Sequence, residues 1–140
     1  MNNREIFYEF VSKSRKEQKE LSRPLVWIYK GFQEKLYTLI KGLNNVTKFR
    51  CLEVGCGHGF HIAGLAPYTK EFIGLDISEG ELKKAAINTK NLDNVSFKKG
   101  DVENLPFENS SFDLVLCSEL IEHLLTPNKA LDEMRRVLKK

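Results

Sequence analysis

Apolar positions recur along the chain with two different periods. Between residues 4 and 21, Ile6, Phe7, Phe10 and Val11 fall at helical spacing before the sequence becomes almost wholly charged. That pattern predicts a helix packed over its first half and exposed over its second. Arg23-Pro24 interrupts it, because proline disfavours helix at the residue before it and readily opens the next helix. A second helix is predicted over 25–43, where Ile28, Phe32, Leu36 and Ile40 step by four beside Trp27, Tyr37 and Leu39. It would cover a face or edge of a sheet, or contribute aromatics to a substrate lid.

After the Gly42-Leu43-Asn44-Asn45 break, short apolar runs alternate with helical patterns. Strands are predicted at 50–54, 72–76, 95–98 and 112–117, and helices at 60–67, 79–89 and 128–138. The last helix carries Ala130, Leu131, Met134 and Val137 on one stripe. Strands alternating with helices specify an α/β fold with a parallel sheet and right-handed crossovers. The run at 112–117 is almost continuously apolar, as a strand buried on both faces should be.

The first strand ends in Glu53-Val54-Gly55-Cys56-Gly57-His58-Gly59, three glycines at alternate positions behind an acid. Side chains at those glycines would hold the backbone away from a ligand lying across the turn, or block the helix from packing on the strand. By itself such a loop is equally a turn and a ligand cradle. Asp76 ends the second strand about twenty residues on, the interval at which a dinucleotide-type site presents a carboxylate to ribose hydroxyls. With parallel neighbouring strands, the loop and Asp76 emerge at the same carboxyl edge.

Charge changes the picture little. The net charge is +3, and eleven Lys/Arg against five Asp/Glu lie in residues 1–50. A solvated basic helix face accounts for this, with an anionic partner such as nucleic acid as the alternative. Cys51, Cys56 and Cys117 lie in or beside predicted strands without paired or ligand-like spacing, the pattern of reduced, buried thiols. No early apolar run resembles a signal peptide and none is long enough to span a bilayer, so the expected location is cytoplasmic.

Four separated segments together resemble the class I S-adenosylmethionine-dependent methyltransferases, in particular the small-molecule branch of ubiquinone and menaquinone biosynthesis. They are the glycine loop with Glu53, Asp76 within Gly74-Leu75-Asp76-Ile77-Ser78, the Gly100-Asp101-Val102-Glu103-Asn104-Leu105-Pro106-Phe107 segment, and Phe112-Asp113-Leu114-Val115. The resemblance covers roughly residue 48 to the end. It implies a Rossmann-like sheet with helices on both faces, here about four strands in the order 3-2-1-4. The expected division is a helical segment at 1–47 and the N-terminal part of a cofactor-binding domain at 48–140.

By the same resemblance the cofactor is S-adenosylmethionine and the product S-adenosylhomocysteine. Gly55, Cys56, Gly57 and Gly59 would lie along its methionine portion, and Glu53 would meet the methionine amino group. Asp76, with Ile77 beside it, would accept from the ribose hydroxyls. Asp101 and the Val102 amide would read the adenine, and the Cys117 carbonyl would face the methionine end. Structural roles stand beside these: Glu53 as a loop cap, Asp76 as a helix cap, Asp101 as a turn residue.

A sulfonium methyl is already activated, so such an enzyme chiefly aligns the acceptor, excludes water and, for a hydroxyl acceptor, removes a proton. Glu119 and His123, near the end of the fourth strand, are the candidate bases, with capping roles as the alternative. Glu119, Glu122 and His123 also resemble part of a metal cluster of small-RNA methyltransferases, but no histidine follows His123, so no metal is assigned. His58 and His61 read as loop and helix residues. The family fold has about seven strands, and the chain stops before a fifth, which would leave the fourth strand at an apolar edge. The expected function is the cofactor-binding portion of a methyltransferase acting on a small-molecule or lipid-like acceptor. The alternative is a non-catalytic subunit whose open edge pairs with a second copy or a complementary C-terminal chain. RNA methylation is weaker, because Ser118-Glu119-Leu120-Ile121 stands where an Asn/Asp-Pro-Pro-Tyr signature would be. A nicotinamide enzyme is disfavoured by the alternate spacing of the glycines.

Overall fold

The computed structural model describes residues 23–140, so the helix expected over 4–21 lies outside the described residues. The chain divides into two compact units, one ending at Val46 and one comprising Thr47–Lys140. In the first unit, helix α1 (Arg23–Lys41) ends where Gly42 begins a turn. Among its described side chains Gln33, Tyr37 and Ile40 are buried, Leu36 is half-buried and Leu39 exposed.

The second unit is a sheet of β1 (Arg50–Val54), β2 (Glu71–Asp76), β3 (Val95–Lys99) and β4 (Leu114–Cys117) in the order β3-β2-β1-β4. All three pairings are parallel. Helices α2 (Phe60–Leu65), α3 (Glu79–Asn88) and α4 (Pro127–Val137) complete it. This is the Rossmann-like half expected. Pro67 closes α2 as predicted, by opening a 3-10 turn at Ala66–Tyr68.

Strand alternation sends one set of side chains to each face. Leu52, Val54, Ile73 and Leu75 join Val102, Leu105, Phe112, Ala130, Met134 and Val137 in the core beneath α4. The opposite face carries Cys51, Glu53, Phe72 and Gly74, with Ile62 of α2 and Phe97 of β3 close over Gly74. Polar anchors fix the connections. Arg136 donates to both carboxylate oxygens of Glu133 at 2.7 Å and to the carbonyls of Leu105 and Phe107 at 3.0 and 2.8 Å. Glu133 in turn accepts from the Leu105 amide at 2.7 Å. The 105–107 segment is thereby held to α4.

The fourth strand departs from its reading. It starts at Leu114, and all four of its residues are only half-buried rather than enclosed on both faces. Among the described residues its continuous apolar run has a strand, β1, on one side alone. On the other side pairing is confined to its approach: Phe112 forms a parallel bridge with Leu138, donating to Val137 and accepting from the Lys139 amide. Asp113 accepts from the Arg50 amide and from Lys139, each at 2.8 Å, which ties this corner together.

Candidate functional site

The carboxyl ends of β1 and β2 and the segments after β3 and β4 meet at one edge, where a crevice forms in folds of this kind. Gly55, Gly57 and Gly59 take φ values of 66°, 49° and 78°, a left-handed conformation that side chains rarely adopt. The loop they form is braced from two elements. Asp76 accepts the Gly57 amide on Oδ2 and the Ser78 amide on Oδ1, both at 2.8 Å. Asn88 of α3 donates to the His58 carbonyl at 2.9 Å. Asp76 thus braces the loop, whereas the cap of α3 is Ser78, whose hydroxyl accepts the Glu81 amide at 3.3 Å; each Asp76 oxygen retains acceptor capacity for a further donor.

A cleft of about 90 Å³ opens at this edge, bounded by Gly55, Asp76, Ile77, Asp101 and Val102 among the expected residues. Asp101 caps the 3-10 turn Val102–Asn104, accepting the Glu103 amide at 2.9 Å. Val102 is buried beneath that turn. Leu120 and Leu124 also line the cleft. A Cβ on Gly55 would lie 2.8 Å from Leu120 Cδ2, so the glycine and the leucine share one small space. Small-molecule sites enclose about 300–1,000 Å³, so the cleft as it stands is smaller than such a site.

Glu53 sits at the end of β1, 2% exposed, with Oε1 2.6 Å from His61 Nδ1. Its other oxygen, Oε2, is buried with no hydrogen-bond partner. Burial pushes the Glu53 carboxyl above the usual carboxylate range, against the opposing pull of His61. Cys56 is buried beside it, its thiol pushed up by burial and by the nearby Glu53 and Asp76. Cys117 ends β4 in register with Val54, half-buried, its thiol also raised by burial. Cys51 is raised to about 12 by burial. None of the three thiols is poised as a nucleophile.

Glu119 and His123 are not brought into the cleft. Both are exposed, and Glu119 takes φ 53° at the turn out of β4. Among the described residues no group of three or more His, Cys, Asp or Glu is arranged to hold a metal ion. The sequence reading missed His61 as the partner of Glu53, and Leu120 and Leu124 as cleft walls. A histidine in the first turn of a helix that doubles back over its strand was a signal available at the Glu53–His61 spacing.

Residues 52–140 match the family described as "Methyltransferase domain". The chain belongs to this methyltransferase family. It is 34% identical to an uncharacterized methyltransferase, YcgJ, of Bacillus subtilis, over 76% of this chain and 43% of that protein. It is 37% identical to a demethylmenaquinone methyltransferase of Clavibacter sepedonicus, over 64% of this chain and 37% of that protein. The crystal structure of YcgJ superposes with a TM-score of 0.69 at 33% identity, covering 74% of this chain and 45% of that one. The methyltransferase chain thus spans less than half the length of these relatives. Among its described residues no helix is long and apolar enough to cross a membrane.

Proposed function

We propose that this chain is the S-adenosylmethionine-binding portion of a methyltransferase that acts on a small-molecule or lipid-like acceptor. The observation that carries the reading is the buried, unpartnered Oε2 of Glu53 beside a left-handed glycine loop. A buried acceptor without a partner costs about 1–3 kcal/mol, and a ligand ammonium would satisfy it. The demethylmenaquinone methyltransferase relative supports an apolar acceptor of this class.

When bound, the cofactor supplies a methyl group already activated on a sulfonium. The chain's own residues hold and orient it. Glu53 takes the amino group, and Gly55 keeps the loop backbone open to the amino-acid end. The free lone pairs of Asp76 accept the ribose hydroxyls, next to Ile77 at the rim. Asp101 and the Val102 amide receive the adenine edge, and the Cys117 carbonyl contributes at the methionine end. Leu120 and Leu124 exclude water once they close over the bound ligand. Glu119 and His123 are the candidate proton acceptors, brought inward by movement of the 118–126 segment.

The test is a calorimetric titration of the chain with S-adenosylhomocysteine. One saturable site is expected, weakened at least about tenfold in Asp76→Ala, whose fold is checked by thermal unfolding. Absence of binding by the folded wild-type chain would sink the reading. One observation favours a second reading: among the described residues no strand pairs with the outer side of β4, so a second copy or a complementary chain has an edge on which to dock. A concentration-independent monomer in sedimentation equilibrium would remove the homodimeric form of that reading.

A further inference from the structure

We propose that His61 is a positioning residue that makes the site selective for ligands bearing an ammonium group, by fixing the Glu53 carboxylate with Oε2 available to that cation. This rests on the cofactor reading above and names the part of the ligand that this pair recognises. A bound ammonium favours the Glu53 anion, which only accepts, so in the liganded state the imidazole Nδ1 donates to Oε1 across the 2.6 Å contact. His61 is itself buried, at 8% exposure, and lies in the first turn of α2, directly over the end of β1. Its ring stands edge to face with Phe60 at 5.5 Å, which restrains its orientation.

The surroundings leave the carboxylate little freedom. Glu53 is in register with Gly74 on β2, and the space above Gly74 is taken by Ile62, Phe97 and the Cys56 sulfur. With Oε1 engaged by His61, Oε2 is the oxygen left for a ligand. The titratable groups that bear on Glu53 are His61 and His58, which favour its anion, and Asp76, which opposes it. Without the Nδ1 donor, burial alone would act on the carboxyl and favour its neutral form. A neutral, rotatable carboxyl still accepts from an ammonium but lacks the charge that makes the preference for it strong. His61 therefore acts through Glu53 and need not touch the ligand.

The experiment compares two probes by calorimetry, S-adenosylhomocysteine and its desamino analogue, which differ only in the ammonium. The wild-type chain is expected to prefer the amino compound about tenfold or more. In His61→Phe, which keeps an aromatic ring but no donor, that preference collapses while affinity for the desamino analogue is unchanged. His61→Asn, which returns a donor near the Nδ1 position, restores most of it, and thermal unfolding verifies that each variant is folded. Retained preference in His61→Phe, equal loss of both ligands, or no rescue by His61→Asn overturns the role of His61. A wild-type chain that binds both probes alike overturns this inference but leaves the cofactor reading standing. A wild-type chain that binds neither overturns both.

Discussion

Alanine at Gly55 and at Gly59 should separate stability from ligand binding. Both positions have positive φ, 66° and 78°, so both variants carry the same backbone strain, about 1–2 kcal/mol for an L residue in the left-handed region. Their surroundings differ. The Cβ on Gly59 would meet Ala85 of α3 at 3.1 Å from its Cβ and 3.3 Å from its backbone Cα. A helix backbone cannot move aside cheaply, and overpacking of this kind adds about 1–3 kcal/mol. The Cβ on Gly55 meets only the end of Leu120, a half-buried side chain that can rotate away. Gly59→Ala should therefore be the more destabilised, by about 2–5 kcal/mol against about 1–2 kcal/mol for Gly55→Ala, read from urea midpoints at constant slope.

Binding should rank the other way, because Gly55 borders the cleft and Gly59 does not. Affinity for S-adenosylhomocysteine, measured on the folded fraction, should fall at least about tenfold in Gly55→Ala and only a few-fold in Gly59→Ala. In the Gly55→Ala/Leu120→Ala double variant neither stability nor binding recovers, because the cost at position 55 is backbone strain and Leu120 packs against the core. Affinity that tracks stability across both single variants would refute the assignment of Gly55 to the ligand, as would full binding by Gly55→Ala.

Two further outcomes concern charge. The raised Glu53 carboxyl means that the folded chain holds a proton which the unfolded chain releases, so its contribution to stability falls as pH rises above the usual carboxylate range through the folded value. Glu53→Gln should remove that slope, melting higher than wild type at pH 8 and losing S-adenosylhomocysteine affinity about tenfold; equal melting temperatures from pH 5 to 8 would show that the carboxyl is not raised. Glu133 has the opposite sign: hydrogen bonding by Arg136 lowers its carboxyl, so its stabilisation is present at neutral pH and is lost as pH falls through the folded value. Arg136→Ala leaves the Leu105 and Phe107 carbonyls without that donor and should cost about 2–3 kcal/mol by urea titration, and a loss under 0.5 kcal/mol would show the network to be solvent-compensated.

What the sequence determined by itself is the local part of the protein. The β-α alternation was legible because the period of apolar positions is a property of consecutive residues, and so were the glycine loop and the acids at strand ends. The family followed from four such segments in order. Even the placement of Asp76 beside the loop follows once β1 and β2 are parallel neighbours, and the 2.8 Å contact with the Gly57 amide bears this out.

Tertiary structure decided everything that depends on which elements meet. The apolar run of β4 reads as enclosed, but its half-burial is set by having one neighbouring strand. Glu53 reads as a motif acid, while its orphaned Oε2 and its raised carboxyl come from its burial in the packed fold, which the contact with His61 offsets only in part. Leu120 has no sequence signal as a cleft wall, since it comes from a segment far from Gly55 in the chain. Periodicity reports which face of an element is apolar. It carries no information about what that face or strand end will touch, and burial, orphaned polar atoms and cleft volume are all properties of that contact.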